Sequence, residues 1–232
     1  MKLPPLSNRL QSCCRFVNPG DRVADIGCDH GYLGIHLLAS GIASSVIAAD
    51  INEGPLSSAV KNAATYGVSD RIAFYLSDGV KNVPRDFDAL VCAGMGADTM
   101  ISILNAAPWL KSGTYRLILQ CQSKRPELRK YLYAQGFSIV RETLAEDGKF
   151  IYPIMEAIYA PAAPLSPAGY HITPALLNSG SPLLPAFYNR VKEGIQITAE
   201  GLSRSGGEKY AYYRALLEEL SNMEDLIYGN RG

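Results

Sequence analysis

The stretch Val23-Ala24-Asp25-Ile26-Gly27-Cys28-Asp29-His30-Gly31 gathers acids, glycines and a histidine where an apolar run stops. Gly27 lets the backbone turn tightly, and Gly31 lets a following helix begin close against a ligand. Free amides at that helix start favour an anionic group such as a carboxylate. Asp25 stands where a dinucleotide-binding motif has its first glycine, and an acid there suits a ligand that also carries an ammonium group. The glycines are Gly27, Gly31 and Gly34, so the Gly-x-Gly-x-x-Gly pattern is absent. A pyrophosphate needs the glycines of that full pattern, which argues against a nicotinamide dinucleotide. Cys28, Asp29 and His30 lie inside the turn and would border the ligand. His30 reads equally as a general base and as a packing or capping residue of the helix start.

Three further strand ends add chemistry. Asp50 falls 23 residues after Gly27, with Ile51 beside it, and can accept hydrogen bonds from both hydroxyls of a ribose. Dinucleotide sites use an acid at the same spacing, so Asp50 alone does not discriminate. In Ser77-Asp78-Gly79, Asp78 can accept from an adenine amino group, or the pair is a plain Asp-Gly turn. Ala93-Gly94-Met95-Gly96 puts two glycines where a second substrate would approach the first; packing alone is the other explanation. Cys92 and Cys121 end strands nearby and read either as thiolates for pyrimidine C5 chemistry or, having no flanking base, as buried structural thiols. Lys124, Arg125, Arg129 and Lys130, with Arg9 and Arg15 on a leading helix, offer phosphate contacts or form a solvated charged face.

Alternating elements are needed to bring these positions together. Helices are expected over residues 6–17, 31–40, 54–66, 97–105 and 126–135, several closed by glycine. Strands are expected over 22–26, 45–50, 72–76, 89–93 and 115–120. Two more, 137–144 and 150–160, flank Ala145-Glu146-Asp147-Gly148, which reads as a hairpin turn. Strict alternation gives an α/β fold, a doubly wound Rossmann-like parallel sheet, and the hairpin adds one antiparallel strand. Pro161, Pro164 and Pro167 then read as a linker that few core contacts cross. Beyond it Leu184, Phe187, Tyr188, Val191, Ile195 and Leu202 repeat at helical spacing, as do Tyr213, Leu216, Leu217, Leu220, Met223 and Ile227. With Ser205-Gly206-Gly207 between them, they predict an antiparallel helical hairpin. The expected division is 1–160 for the ligand-binding domain and 161–232 for linker and hairpin.

The bulk properties narrow the class. Hydrophobic residues make up 47% and charged residues 19%, the balance of a packed protein. Lys+Arg and Asp+Glu both number 22, which excludes a strongly basic nucleic-acid binder but not a local patch. No apolar run approaches the roughly 18 residues of a membrane span, and Met1 to Pro5 has no signal-peptide core. The five cysteines contain no Cys-x-x-Cys pair, so neither a disulfide framework nor a metal site is expected. The expected location is the cytoplasm.

With these motifs in place, the chain resembles the bacterial tRNA (adenine-22-N1)-methyltransferase family of class I S-adenosylmethionine-dependent methyltransferases. The resemblance is carried by Leu6-Ser7-Asn8-Arg9-Leu10, Ala24 to Leu33, Ala93-Gly94-Met95-Gly96, Leu117-Ile118-Leu119-Gln120 and Glu146-Asp147-Gly148-Lys149. It departs at Ala97, where the family tends to have Gly, and at Cys121-Gln122, where it tends to have Pro-Asn. The resemblance implies S-adenosylmethionine as cofactor, held by Asp25, Gly27, Cys28, Asp29, His30, Gly31, Asp50, Ile51, Asp78, Gly79, Ala93, Gly94 and Met95. It implies tRNA as partner, contacted by Arg9, Lys124, Arg125 and Arg129, with the helical hairpin as a tRNA-contacting part. No metal or membrane is implied, and the chain would act as a monomer or weak homodimer. Asp29 is the candidate to balance charge developing on the adenine. The rivals are a class I methyltransferase for a small molecule or protein, and a non-catalytic tRNA-binding module.

Overall fold

The computed structural model describes residues 3–204 and 206–229. Seven strands form a single sheet in the order β3-β2-β1-β4-β5-β7-β6. They are β1 (Arg22–Ile26), β2 (Ser45–Asp50), β3 (Ile72–Leu76), β4 (Ala89–Met95), β5 (Arg116–Cys121), β6 (Phe137–Asp147) and β7 (Phe150–Tyr159). The first five are parallel, and β7 runs antiparallel to both β5 and β6. The doubly wound Rossmann-like architecture expected from the alternation is the one observed. Central strands such as Leu90-Val91-Cys92 and Leu117-Ile118-Leu119 are covered on both faces, which is why they read as continuous apolar runs.

On one face lie α1 (Asn8–Cys14), α2 (Tyr32–Ala39) and α3 (Glu53–Thr65). The other face carries α4 (Ala97–Asn105), the 3-10 turn Pro108–Ser112 and α5 (Arg125–Ala134). α1 is shorter than the expected 6–17, because the chain after Cys14 turns to bury Phe16 and Val17. The hairpin turn also differs from the reading. β6 continues through Asp147, which pairs with Phe150, so only Gly148 and Lys149 form the turn. Glu146 and Asp147 are polar strand residues at a sheet edge, a composition that imitates a loop.

The chain reverses its winding between β1 and β4, and such a switch leaves a crevice at the carboxyl ends of the strands. Here that crevice lies between Gly27 and Gly94. The β4–β5 register slips between Ala93 and Met95, which makes Gly94 (φ +86°) the extra residue of a bulge. A bulge re-aims the residues after it, here over the end of β1.

After an irregular 160–166, the chain forms a 3-10 turn at Ala168–Tyr170, then α6 (Pro174–Leu177), α7 (Leu184–Leu202), α8 (Gly207–Ser221) and α9 (Glu224–Tyr228). The helical hairpin is present as α7 and α8, and a break at Asn222 and Met223 separates α9. Ser205 of the expected connection lies outside the described residues. The expectation that few core contacts cross residue 160 is not met. Leu144 and Ile151 of the β6–β7 hairpin share one buried cluster with Ile172, Leu176, Phe187, Tyr188 and Leu216. A buried ion pair joins Arg129 of α5 to Glu142 of β6, and the Thr173 hydroxyl also donates to Glu142. Arg129 Nη1 donates to the carbonyls of Tyr170 (3.0 Å) and His171 (2.7 Å). One side chain thus ties α5, β6 and the segment after the linker together.

Candidate donor and acceptor site

Two cavities meet at the switch point. One, of about 320 Å³, is bordered by Arg9, Asp25, Cys28, Asp29, His30 and Gly94. The other, of about 280 Å³, is bordered by Asp50, Ile51, Asp78, Gly79, Thr99 and Ser102. Gly27 and Met95 border both and form the partition. Gly27 has φ +71°, and a Cβ there would fall 2.1 Å from Met95 Cε. The left-handed turn therefore requires glycine, and its bare Cα leaves room for the Met95 methyl.

Asp25 ends inside the first cavity's wall, 4% exposed. Its Oδ2 has no hydrogen-bond partner among the described residues. Burial raises its carboxyl from the ordinary 3.8 to about 7, the Gly34 amide offsets part of the rise and the Asp50 carboxylate adds to it. A buried carboxyl bordering a cavity is where a ligand ammonium would be favoured, because the cation restores the charged form. Asp50 is also buried. Its Oδ2 accepts from the Asp29 amide (3.0 Å) and its Oδ1 from the Asn52 amide (2.9 Å). Each oxygen keeps a further lone pair for a ribose hydroxyl. Asp29 itself is in the left-handed region (φ +52°), with its side chain 71% exposed at the cavity mouth, 3.6 Å from His30 Nε2. Asp78 lies at the rim of the second cavity, 2.5 Å from Lys81 Nζ.

Three readings from the sequence are corrected here. Gly31 does not border the cavity. It precedes α2 with φ +72°, and a Cβ would fall 2.9 Å from Ala59 Cβ, so its smallness serves the packing of α2 on α3. Arg129 is fully buried on Glu142 and cannot reach a phosphate, since a solvated partner would have to displace that pair. Arg9 is not on an outer charged face either. It enters the first cavity, where Nη1 donates to Gln120 Oε1 (2.9 Å) and Nε lies 3.3 Å from Asp147. Lys124 is exposed beside Asp98 (2.7 Å), and Arg125 is half-buried with its guanidinium 5.3 Å over the Phe187 ring.

Gln120 was not singled out by residue chemistry. It is fully buried, and its Oε1 accepts from both Arg9 and the Gly94 amide (3.1 Å), so it pins the bulge. Thr99 and Ser102, about one turn apart on α4, also went unread; no motif marks them. Cys92 and Cys121 are buried, and burial pushes both thiols up, which leaves no thiolate for nucleophilic work near neutrality. Among the described residues no group of three or more His, Cys, Asp or Glu could hold a metal, and no helix is long and apolar enough to cross a membrane.

Comparison with known proteins agrees with this geometry. Residues 6–155 match the methyltransferase domain family. The tRNA (adenine(22)-N(1))-methyltransferase of Bacillus subtilis (strain 168) is 32% identical over 153 residues. That match covers 66% of this chain and 64% of the relative, a little under two thirds of its length. The crystal structure of the B. subtilis m1A22 tRNA methyltransferase TrmK superposes with a TM-score of 0.78 at 26% identity, covering 97% of each chain. Streptococcus pneumoniae Sp1610 in complex with S-adenosyl-L-methionine does so with a TM-score of 0.79 at 29% identity, covering 94% of this chain and 99% of that one. The chain belongs to the methyltransferase domain family, alongside the bacterial tRNA (adenine-22-N1)-methyltransferases.

Proposed function

We propose that this chain transfers a methyl group from S-adenosylmethionine to N1 of an adenine in tRNA, at position 22. The observation that carries the reading is the pair of cavities meeting at Gly27 and Met95, each with a buried acid placed for a different part of one ligand. Asp25 would take the ligand's ammonium, Asp50 its ribose hydroxyls and Asp78 its adenine amino group. When bound, the cofactor supplies an electrophilic methyl group. Adenine N1 has its own lone pair, so no residue of the chain has to remove a proton to create the nucleophile. Positioning then supplies much of the rate enhancement. The Gly94 bulge, pinned by Gln120, sets how closely the acceptor can approach the partition at Met95. Asp29, exposed at the mouth, would balance the positive charge that grows on the methylated base.

Residues 1–160 would hold the cofactor and 161–232 contact the tRNA. The chain would act in the cytoplasm as a monomer or weak homodimer. The test is methyl transfer to total unmodified tRNA followed by nucleoside analysis. 1-Methyladenosine is the expected product. Transfer to a protein or small molecule instead, with none to tRNA, overturns the reading.

A further inference from the structure

A third cavity, of about 550 Å³, opens beside the first two and touches the sequence motifs only at Gly96 and Arg125. It lies between the β5–α5 junction, the β6–β7 hairpin and α7, where Gln122, Arg125, Phe150, Tyr152, Phe187 and Arg190 border it. Gln122 connects it to the donor crevice: a Cβ on Gly94 would lie 3.8 Å from Gln122 Nε2, and Gly94 borders the Asp25 cavity. Its volume falls within the roughly 300–1,000 Å³ usual for small-ligand sites.

The lining has a definite chemistry. Phe150 and Tyr152 stand two residues apart on one face of β7, ring centroids 6.0 Å apart, and Phe150 is 52% exposed. An aromatic pair left open at a cavity wall offers π-faces to a flat ligand. The charged residues bordering the cavity are Arg125 and Arg190, with no carboxylate among them, although the chain's net charge is zero. Arg125 makes no hydrogen bond or ion pair with any described residue, and Glu142, the acid buried close by, is taken by Arg129. Arg190 Nη1 donates only to the Lys149 carbonyl (2.9 Å), which leaves most of its donors free.

We infer that this cavity receives the acceptor nucleotide of tRNA turned out of its stack, the base against Phe150 and Tyr152 and its flanking phosphates on Arg125 and Arg190. The inference rests on the tRNA reading above and adds to it the site of the base. N1 lies on the Watson–Crick edge, so the base must leave its pair before it can react, and a turned-out base needs a stacking surface and a phosphate grip. Guanidinium forks suit that grip. Gln122, at the inner end, stands between the cavity and the Gly94 bulge, the direction in which N1 must point.

The test uses the full chain with Arg125→Met and Tyr152→Leu. Cofactor affinity should stay at the wild-type value in both, while kcat/KM for unmodified tRNA falls about tenfold or more in each, the scale of one lost stacking or phosphate contact. A tRNA with 2-aminopurine at the acceptor position should show a fluorescence change on binding wild type that Tyr152→Leu alters. If Arg125→Met does not melt cooperatively, Arg190→Glu on the exposed rim carries the same comparison. A wild-type kcat/KM in the variants, with tRNA methylated normally by the intact protein, overturns the pocket alone. An intact protein that methylates no tRNA overturns the tRNA reading, and the pocket with it.

Discussion

Asp25 and Asp50 differ in what surrounds them, and their variants should differ accordingly. With its carboxyl at about 7, Asp25 is substantially protonated at neutral pH before the cofactor arrives. An ammonium binds the charged form, so cofactor affinity should climb about tenfold per pH unit below 7 and level off above it. Calorimetry in buffers of different ionisation enthalpy should register proton release on binding, and Asp25→Asn should abolish the climb. A flat affinity between pH 5.5 and 7.5 would separate Asp25 from the ammonium. Asp50→Ala should weaken cofactor binding by on the order of 2 kcal/mol, since two hydroxyl contacts to a charged group disappear. The same substitution frees the Asp29 and Asn52 amides. Unchanged affinity would leave Asp50 a loop-bracing residue only.

Among the elements, the contact of α5 with β6 and the segment after the linker rests on a pair that cannot be half removed. Arg129→Met strands Glu142 in the core and should cost about 3–5 kcal/mol in denaturant unfolding, whereas the double change Arg129→Met with Glu142→Gln should recover part of it. Equal losses in the single and double variants would show that no uncompensated charge is involved. His171, next to this knot, is held down to about 4 by burial, with Arg129 and then Arg125 adding repulsion. A histidine depressed in the fold contributes stability above its unfolded value of 6.5, and loses it as pH falls toward 4. Asp25, raised in the fold, acts oppositely over about pH 4 to 7. His171→Gln should therefore flatten the acid side of a stability–pH curve measured by thermal melting. The sequence made the parallel strands legible almost to the residue, because each is a short apolar run set between helical patterns. Arg129 was not legible. A cluster with Lys124, Arg125 and Lys130 reads as a wet face, and its partner Glu142 is 13 residues away on a strand. Phe150, Tyr152 and Phe187 were hidden for the converse reason: aromatic residues in a hairpin or helical stripe read as packing.

For the whole molecule, a cut at residue 160 is no clean excision. It uncovers Leu144 and Ile151 and strips Arg129 of two carbonyl acceptors. A linker crossed by few core contacts would let a chain lacking 161–232 bind cofactor nearly as well as the intact one. The shared core changes that expectation. The truncated chain should melt several degrees lower, and should lose tRNA methylation even where cofactor binding is restored by excess ligand. Full tRNA methylation after truncation would leave the helices a stabilising role alone. Charge reversal at the exposed Lys124 should lower tRNA affinity and flatten its salt dependence, read from binding titrations at two salt concentrations.

The buried Arg129–Glu142–Thr173 knot has one more consequence. It joins α5 and β6 to residues 170–173, where the helical appendage begins, so on the proposed reading an RNA held by that appendage would sit at a set distance from the partition at Met95. An enzyme so built would select its target as a ruler does: the nucleotide at the far mark would be modified, and moving a base along the RNA by one step should silence it even when its sequence neighbours move with it.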